Sequence, residues 1–143
     1  MSLRKHLLDV NVLIALAEPE HIHHAAVIAW IDIPGLDWGL CSYTETGFLR
    51  ITTNPKLGAH SAVESTKVLD ALATRPGYRF WSNTASWTTL VAPFRHRVLG
   101  HQQITDALLL GLAIREEGIL VTLDKGLKYL AGPAYNEHVL VLE

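Results

Sequence analysis

Cysteine is nearly absent from this chain. One residue, Cys41, is all there is among 143 positions, which excludes an internal disulfide and any multi-cysteine zinc site. Within Trp38-Gly-Leu-Cys-Ser42 it is expected as a small buried hydrophobe. Long apolar runs are also missing. The longest, residues 10–17 and 107–114, fall far short of the ~20 residues that a bilayer-spanning helix needs. The N-terminal residues lead directly into a strand-like run without the pattern of a cleavable signal, so a soluble cytoplasmic protein with no membrane partner is expected. There is no surplus of positive charge either. Twelve Lys and Arg stand against fourteen Asp and Glu, a net charge of −2, which argues against a broadly basic nucleic-acid coat. Repeats, low-complexity tracts and linkers are lacking, and residues 1–143 are expected to form one domain.

What the chain has is apolar material, 49% of its residues, arranged in short runs broken by turn signals. Strands are expected at 7–8, 38–42, 78–81, 119–123 and 138–142. Helices are expected at 12–17, 21–32, 44–53, 59–74, 84–94, 103–117 and 125–130, with stops at Pro34-Gly35, Asn54-Pro55, Pro76-Gly77 and Gly118. Alternating strands and helices, with several strands apolar on both faces, describe an α/β three-layer sandwich around a five-stranded, mainly parallel sheet.

Four carboxylates stand where an apolar run turns polar: Asp9, Glu45, Asp106 and Asp124. Ligands of parallel sheets bind beyond the carboxyl ends of the strands, where all four can converge. Clustered carboxylates repel one another unless a divalent cation neutralises them. Each acid also has a plain structural use. Asp9 can cap the helix after it, Ser42-x-x-Glu45 fits a capping box, Asp106 complements a helix N-terminus, and Asp124-Lys-Gly126 fits a tight turn. Four acids on one edge are harder to explain by capping, because Ser, Thr and Asn cap comparably well. If Asp9 belongs to a crowded cluster, Asp9→Asn is expected to raise the melting temperature of the metal-free protein.

The segments Leu7-Leu-Asp-Val-Asn-Val-Leu-Ile-Ala15, Thr44-Glu-Thr-Gly-Phe-Leu-Arg-Ile-Thr-Thr-Asn-Pro55, Ile104-Thr-Asp-Ala-Leu-Leu109 and Leu120-Val-Thr-Leu-Asp-Lys-Gly126 resemble the PIN-domain ribonucleases, in particular the VapC toxins of toxin–antitoxin pairs. The resemblance spans nearly the whole chain in the right order. It implies a PIN-like fold, a metal-dependent endoribonuclease that hydrolyses RNA phosphodiester bonds, usually a homodimer, and a cognate VapB-like antitoxin that holds it inactive. Carried over by position, Asp9, Glu45, Asp106 and Asp124 match the acidic catalytic and metal-binding positions. Asn11 and Thr122 match polar positions that support them.

A bound Mg²⁺ or Mn²⁺ at such a site would activate water and offset charge on the phosphoryl oxygens. Mg²⁺ keeps several waters, so Asp9 and Asp106 are expected as the main ligands, with Glu45 and Asp124 acting partly through water. Arg50 and His101 are candidate substrate contacts, and the loops at 54–60 and 95–102 are candidate RNA-binding segments. His21, His23 and His24 are expected at the surface, because hard cations prefer oxygen. A haloacid-dehalogenase phosphatase would need a second carboxylate where Asn11 stands. A receiver domain would need a phosphoacceptor Asp after the third strand, where the chain reads Trp81-Ser-Asn83. The rival from another class is a non-catalytic PIN-fold protein that binds a partner through its acidic groove.

Overall fold

Leu7 and Leu8 are neighbours in the chain, yet they are buried in two different hydrophobic clusters. That split follows from the twofold alternation of a strand, and it defines the architecture. In a computed structural model describing residues 4–58, 60–82 and 85–143, β1 (Lys5–Leu8) leads to α1 (Val10–Ala17) and α2 (His24–Ile31), then β2 (Asp37–Gly39), α3 (Ser42–Thr52) and α4 (Ala62–Leu72). The second half holds α5 (Trp87–Val91), α6 (Ile104–Arg115), β3 (Ile119–Thr122), α7 (Gly126–Tyr135) and β4 (Val139–Val141). Helices α1 to α4 cover one face with Leu8 and Val121, and α5 to α7 cover the other with Leu7 and Leu120. Cys41 is fully buried in the second cluster, as a small hydrophobe.

The sheet runs β2-β1-β3-β4 and every pairing is parallel. The expected fifth strand at 78–81 is a correction: the described residues form four strands. That segment does run beside β2, donating from Arg79 N to Trp38 O at 2.8 Å and from Trp81 N to Leu40 O at 2.8 Å. It is joined only through isolated bridges at Tyr78 and Trp81, because the Arg79 carbonyl lies over Gly39 instead of completing the ladder. A Cβ on Gly39 would stand 1.6 Å from that oxygen. Gly39→Ala is therefore expected to push the 78–81 segment off the sheet and cost about 1–3 kcal/mol or more, read as a lower midpoint in urea.

Other boundaries moved for local reasons. Residues 21–23 turn outside α2, with His21 Nδ1 accepting from His23 N at 3.0 Å. Ser61 and Glu64 form a reciprocal capping box, which starts α4 at Ala62. The expected helix starts at Ala59 and Thr84 lie outside the described residues. Pro93 confines α5 to five residues and a 3₁₀ turn, Ala92–Arg97, follows it. Val27 and Trp30 belong to the core. Among the described residues no helix is long and apolar enough to cross a membrane.

Candidate active site

The two central strands, β1 and β3, end side by side, and Asp9 N extends their ladder by donating to Val121 O at 2.9 Å. Asp9 then caps α1, its Oδ1 accepting from Val10 N at 2.7 Å. Its Oδ2 accepts from the Thr122 hydroxyl at 2.7 Å. Thr122, fully buried at the end of β3, also accepts from Asp124 N at 3.1 Å and from Asn11 Nδ2 at 3.3 Å. Asn11 Oδ1 accepts from Leu123 N at 3.1 Å. One hydroxyl thus ties the ends of both central strands to the first turn of α1, with its donor and both lone pairs in use.

Thr122→Val keeps the shape and removes all three bonds. It is expected to cost about 1–3 kcal/mol, since two donors lose their acceptor. Any metal-dependent activity should fall by about 10–100-fold as Asp9 loses its orientation. Denaturation and activity measured on the same sample check both.

The other acids arrive from separate elements. Asp106 lies in the first turn of α6, half-buried, and its carboxylate makes no hydrogen bond or ion pair with any described residue. Burial, then the charges of Asp9 and Asp124, push its pKa up to about 7. Asp124 is exposed and closes a turn, its Oδ1 accepting from Gly126 N at 2.8 Å. The Asp9 carboxyl is also raised, first by burial and further by Asp124, against the lowering effect of the Thr122 and Val10 hydrogen bonds.

Glu45 is held differently. Thr44, beside it, donates from Oγ1 to Leu8 O at 2.9 Å and tethers the start of α3 to β1. Cys41, not Ser42, is the N-cap of α3, so the capping-box use of Glu45 does not occur. Burial raises the Glu45 pKa, and the like charge acting on it is Asp70 of α4, not one of the other three acids. Glu45 also raises the Tyr78 phenol, after burial. The structure therefore couples Asp9, Asp106 and Asp124 with Asn11 and Thr122, while Glu45 answers to Asp70 and Tyr78. Neither of those two stood out in the sequence, because no motif marks them. Arg50, in the last turn of α3, and His101, in a 3₁₀ turn before α6, are both exposed.

Among the described residues no three His, Cys, Asp or Glu side chains form a ready-made metal cage. The donor set still fits a hard divalent cation that retains water. It consists of carboxylate oxygens, two of them with raised pKa values, and no described Lys or Arg pairs with Asp9, Asp106 or Asp124. Few direct protein ligands and several waters are what Mg²⁺ takes. A cavity of about 520 Å³ lies elsewhere, around Asp32, Asp37, Arg75 and Arg79. Its charges are already paired, Arg75 with Asp32 at 2.9 Å and Arg79 with Asp37 at 3.2 Å, so it offers weaker grounds for a reaction centre than the uncompensated acids.

The sequence profile of the PIN domain matches residues 6–133. The chain belongs to the PIN-domain family. It is 42% identical over 128 residues to Ribonuclease VapC38 of Mycobacterium tuberculosis (strain ATCC 25618 / H37Rv), spanning 87% of this chain and 89% of that protein. It is 37% identical to Ribonuclease VapC44 of Mycobacterium tuberculosis (strain CDC 1551 / Oshkosh), over 95% and 98% of the two chains. The fold is similar to a chain in the crystal structure of VapBC2 from Rickettsia felis bound to a promoter DNA fragment, with a TM-score of 0.65 at 16% identity and coverage of 97% and 99%. It is also similar to one in FitAcB from Neisseria gonorrhoeae, with a TM-score of 0.56 at 17% identity and coverage of 96% of each chain. In this PIN domain the acidic residues leave the central strands and the helices beside them at one edge, as parallel topology requires.

Proposed function

We propose that this PIN-domain protein is a metal-dependent endoribonuclease, the toxin of a VapBC-type toxin–antitoxin pair. The observation that carries the reading is the group of three mutually repelling carboxylates at the ends of β1 and β3, uncompensated by any described cation, in a chain so similar to the VapC ribonucleases. Asp9 and Asp106 would be the main ligands of Mg²⁺ or Mn²⁺, with Asp124 and Glu45 acting through water. Bound there, the ion supplies electrostatic stabilisation of the phosphoryl group and lowers the pKa of water.

The chain's own residues do the rest. Thr122 and Asn11 hold Asp9 and the Asp124 backbone in place. Asp106, whose pKa burial and the charges of Asp9 and Asp124 push up to about 7, ionises at lower pH when a cation arrives beside it. Arg50 and His101 contact RNA phosphates at the rim. All 143 residues make up one PIN domain. The protein acts as a homodimer, and a VapB-like antitoxin silences it by placing a basic side chain among the acids.

The test is cleavage of RNA by purified protein with Mg²⁺ or Mn²⁺, and its loss in excess chelator. Cleavage that persists undiminished in chelator would overturn the metal assignment. No cleavage under either condition, with tight binding of a basic partner to the same edge, would favour the non-catalytic alternative.

A further inference from the structure

Arg97 ends the 3₁₀ turn after α5 and is half-buried, but no carboxylate among the described residues pairs with it. Its Nε donates to the Tyr129 carbonyl at 2.9 Å. Gly132 makes this placement possible. It has φ +68°, and a Cβ there would stand 2.7 Å from Arg97 Nε and 2.8 Å from Cζ. The guanidinium is thus fixed by one of its five donors. A half-buried cation without a counter-charge is costly, and an anion arriving from solution would offset that cost.

The space in front of Arg97 is a cavity of about 400 Å³ lined by His96, Arg97, Leu99, Gln103, Tyr129 and Leu130. Gln103 braces one wall, its Oε1 accepting from Leu99 N at 2.6 Å. Tyr129 and Leu99 are 78% and 88% exposed, leaving an aromatic ring and an aliphatic side chain open to solvent beside the fixed charge. Both walls adjoin the acids in the chain. Gln103 directly precedes α6, whose first turn holds Asp106, and Tyr129 lies in the first turns of α7, which follows Asp124.

We propose that this cavity is a nucleotide subsite flanking the acidic centre, in which a base of single-stranded RNA stacks on Tyr129 while a phosphate of that strand is held by Arg97. The inference rests on the ribonuclease reading and names where its substrate lies. An aromatic face beside a fixed guanidinium is what sequence-tolerant binding of single strands uses. Base-edge readout would fall to Gln103 and His96.

The experiment measures fluorescence anisotropy of a labelled single-stranded RNA heptamer in the Asp106→Asn background, alongside thermal melting and cleavage by the parent protein. Tyr129→Ala is expected to weaken binding by about tenfold, within the range for loss of one stacked base, with melting unchanged because the side chain is exposed. Tyr129→Phe should retain affinity. Arg97→Ala should weaken binding and flatten its dependence on log salt by about 0.7, the value of one single-strand phosphate contact. Unchanged affinity in Tyr129→Ala, or a Phe variant as weak as the Ala variant, overturns the subsite. Should the parent cleave RNA while Tyr129→Ala binds normally, the subsite fails and the ribonuclease reading stands. Should the parent fail to cleave while binding still depends on Tyr129, the reverse holds.

Discussion

Asp106→Asn is expected to abolish metal-dependent cleavage and, at pH 8 without metal, to melt above the wild-type protein. The two effects share one cause. In the folded wild type the Asp106 carboxyl has a pKa of about 7, against 3.8 for the unperturbed group. Because the folded value is the higher one, the stability this group contributes is fully present below about pH 4 and is lost as pH rises to 7 and beyond. An amide does not titrate, so the variant escapes that loss. Its melting temperature should exceed wild type by a few degrees at pH 8, and the two curves should close on each other as pH falls toward 4. No hydrogen bond from the Asp106 carboxylate to a described residue opposes the exchange. Added Mg²⁺ or Mn²⁺ should stabilise wild type, by about 2.7 kcal/mol at a hundredfold excess over Kd, and leave the variant unchanged. Normal cleavage by Asp106→Asn, or parallel pH profiles for the two proteins, would remove Asp106 from the site.

Asp9→Asn should also lose cleavage, by at least about 100-fold, but its stability should move the other way. The expectation of a higher melting temperature treated Asp9 as a charge alone. In the structure one oxygen accepts from Val10 N and the other from Thr122 Oγ1. Either orientation of an asparagine amide sets an N–H against a group that already donates to that position. The hydroxyl cannot turn to accept, since Asn11 Nδ2 and Asp124 N occupy its lone pairs. A displaced buried bond costs about 1–3 kcal/mol, which relief of repulsion offsets only in part. The variant is therefore expected to melt below wild type in the absence of metal. A melting temperature above wild type would mean that the Thr122 network rearranges freely.

The sheet, its direction and the two covering layers were legible because short apolar runs alternate with helical patterns. Asp9, Asp106 and Asp124 stand at junctions that any parallel arrangement gathers at one edge. The edge segment at 78–81 was not legible as a bridged fragment, because its irregularity depends on the Arg79 carbonyl meeting Gly39, a contact between residues forty positions apart. Glu45 was read with the other acids for its place after an apolar run, yet its electrostatic neighbour comes from α4, and helix-to-helix proximity leaves no local trace. Asp9 and Asp124 take up the cap and the turn that their local sequence suggests, and they still repel each other. Structural and chemical uses of one side chain are not alternatives here.

The order β2-β1-β3-β4 puts both strands that end on Asp9 and Thr122 in the interior of the sheet, with a neighbour on either side. Interior strands are the last to open in native-state fluctuations, whereas a segment held by two bridges opens early and on its own. Amide exchange should therefore be slowest at the floor of the acidic edge and faster at 78–81. Fraying of the rim then leaves Asp9 and Thr122 in register, joined by their hydrogen bond.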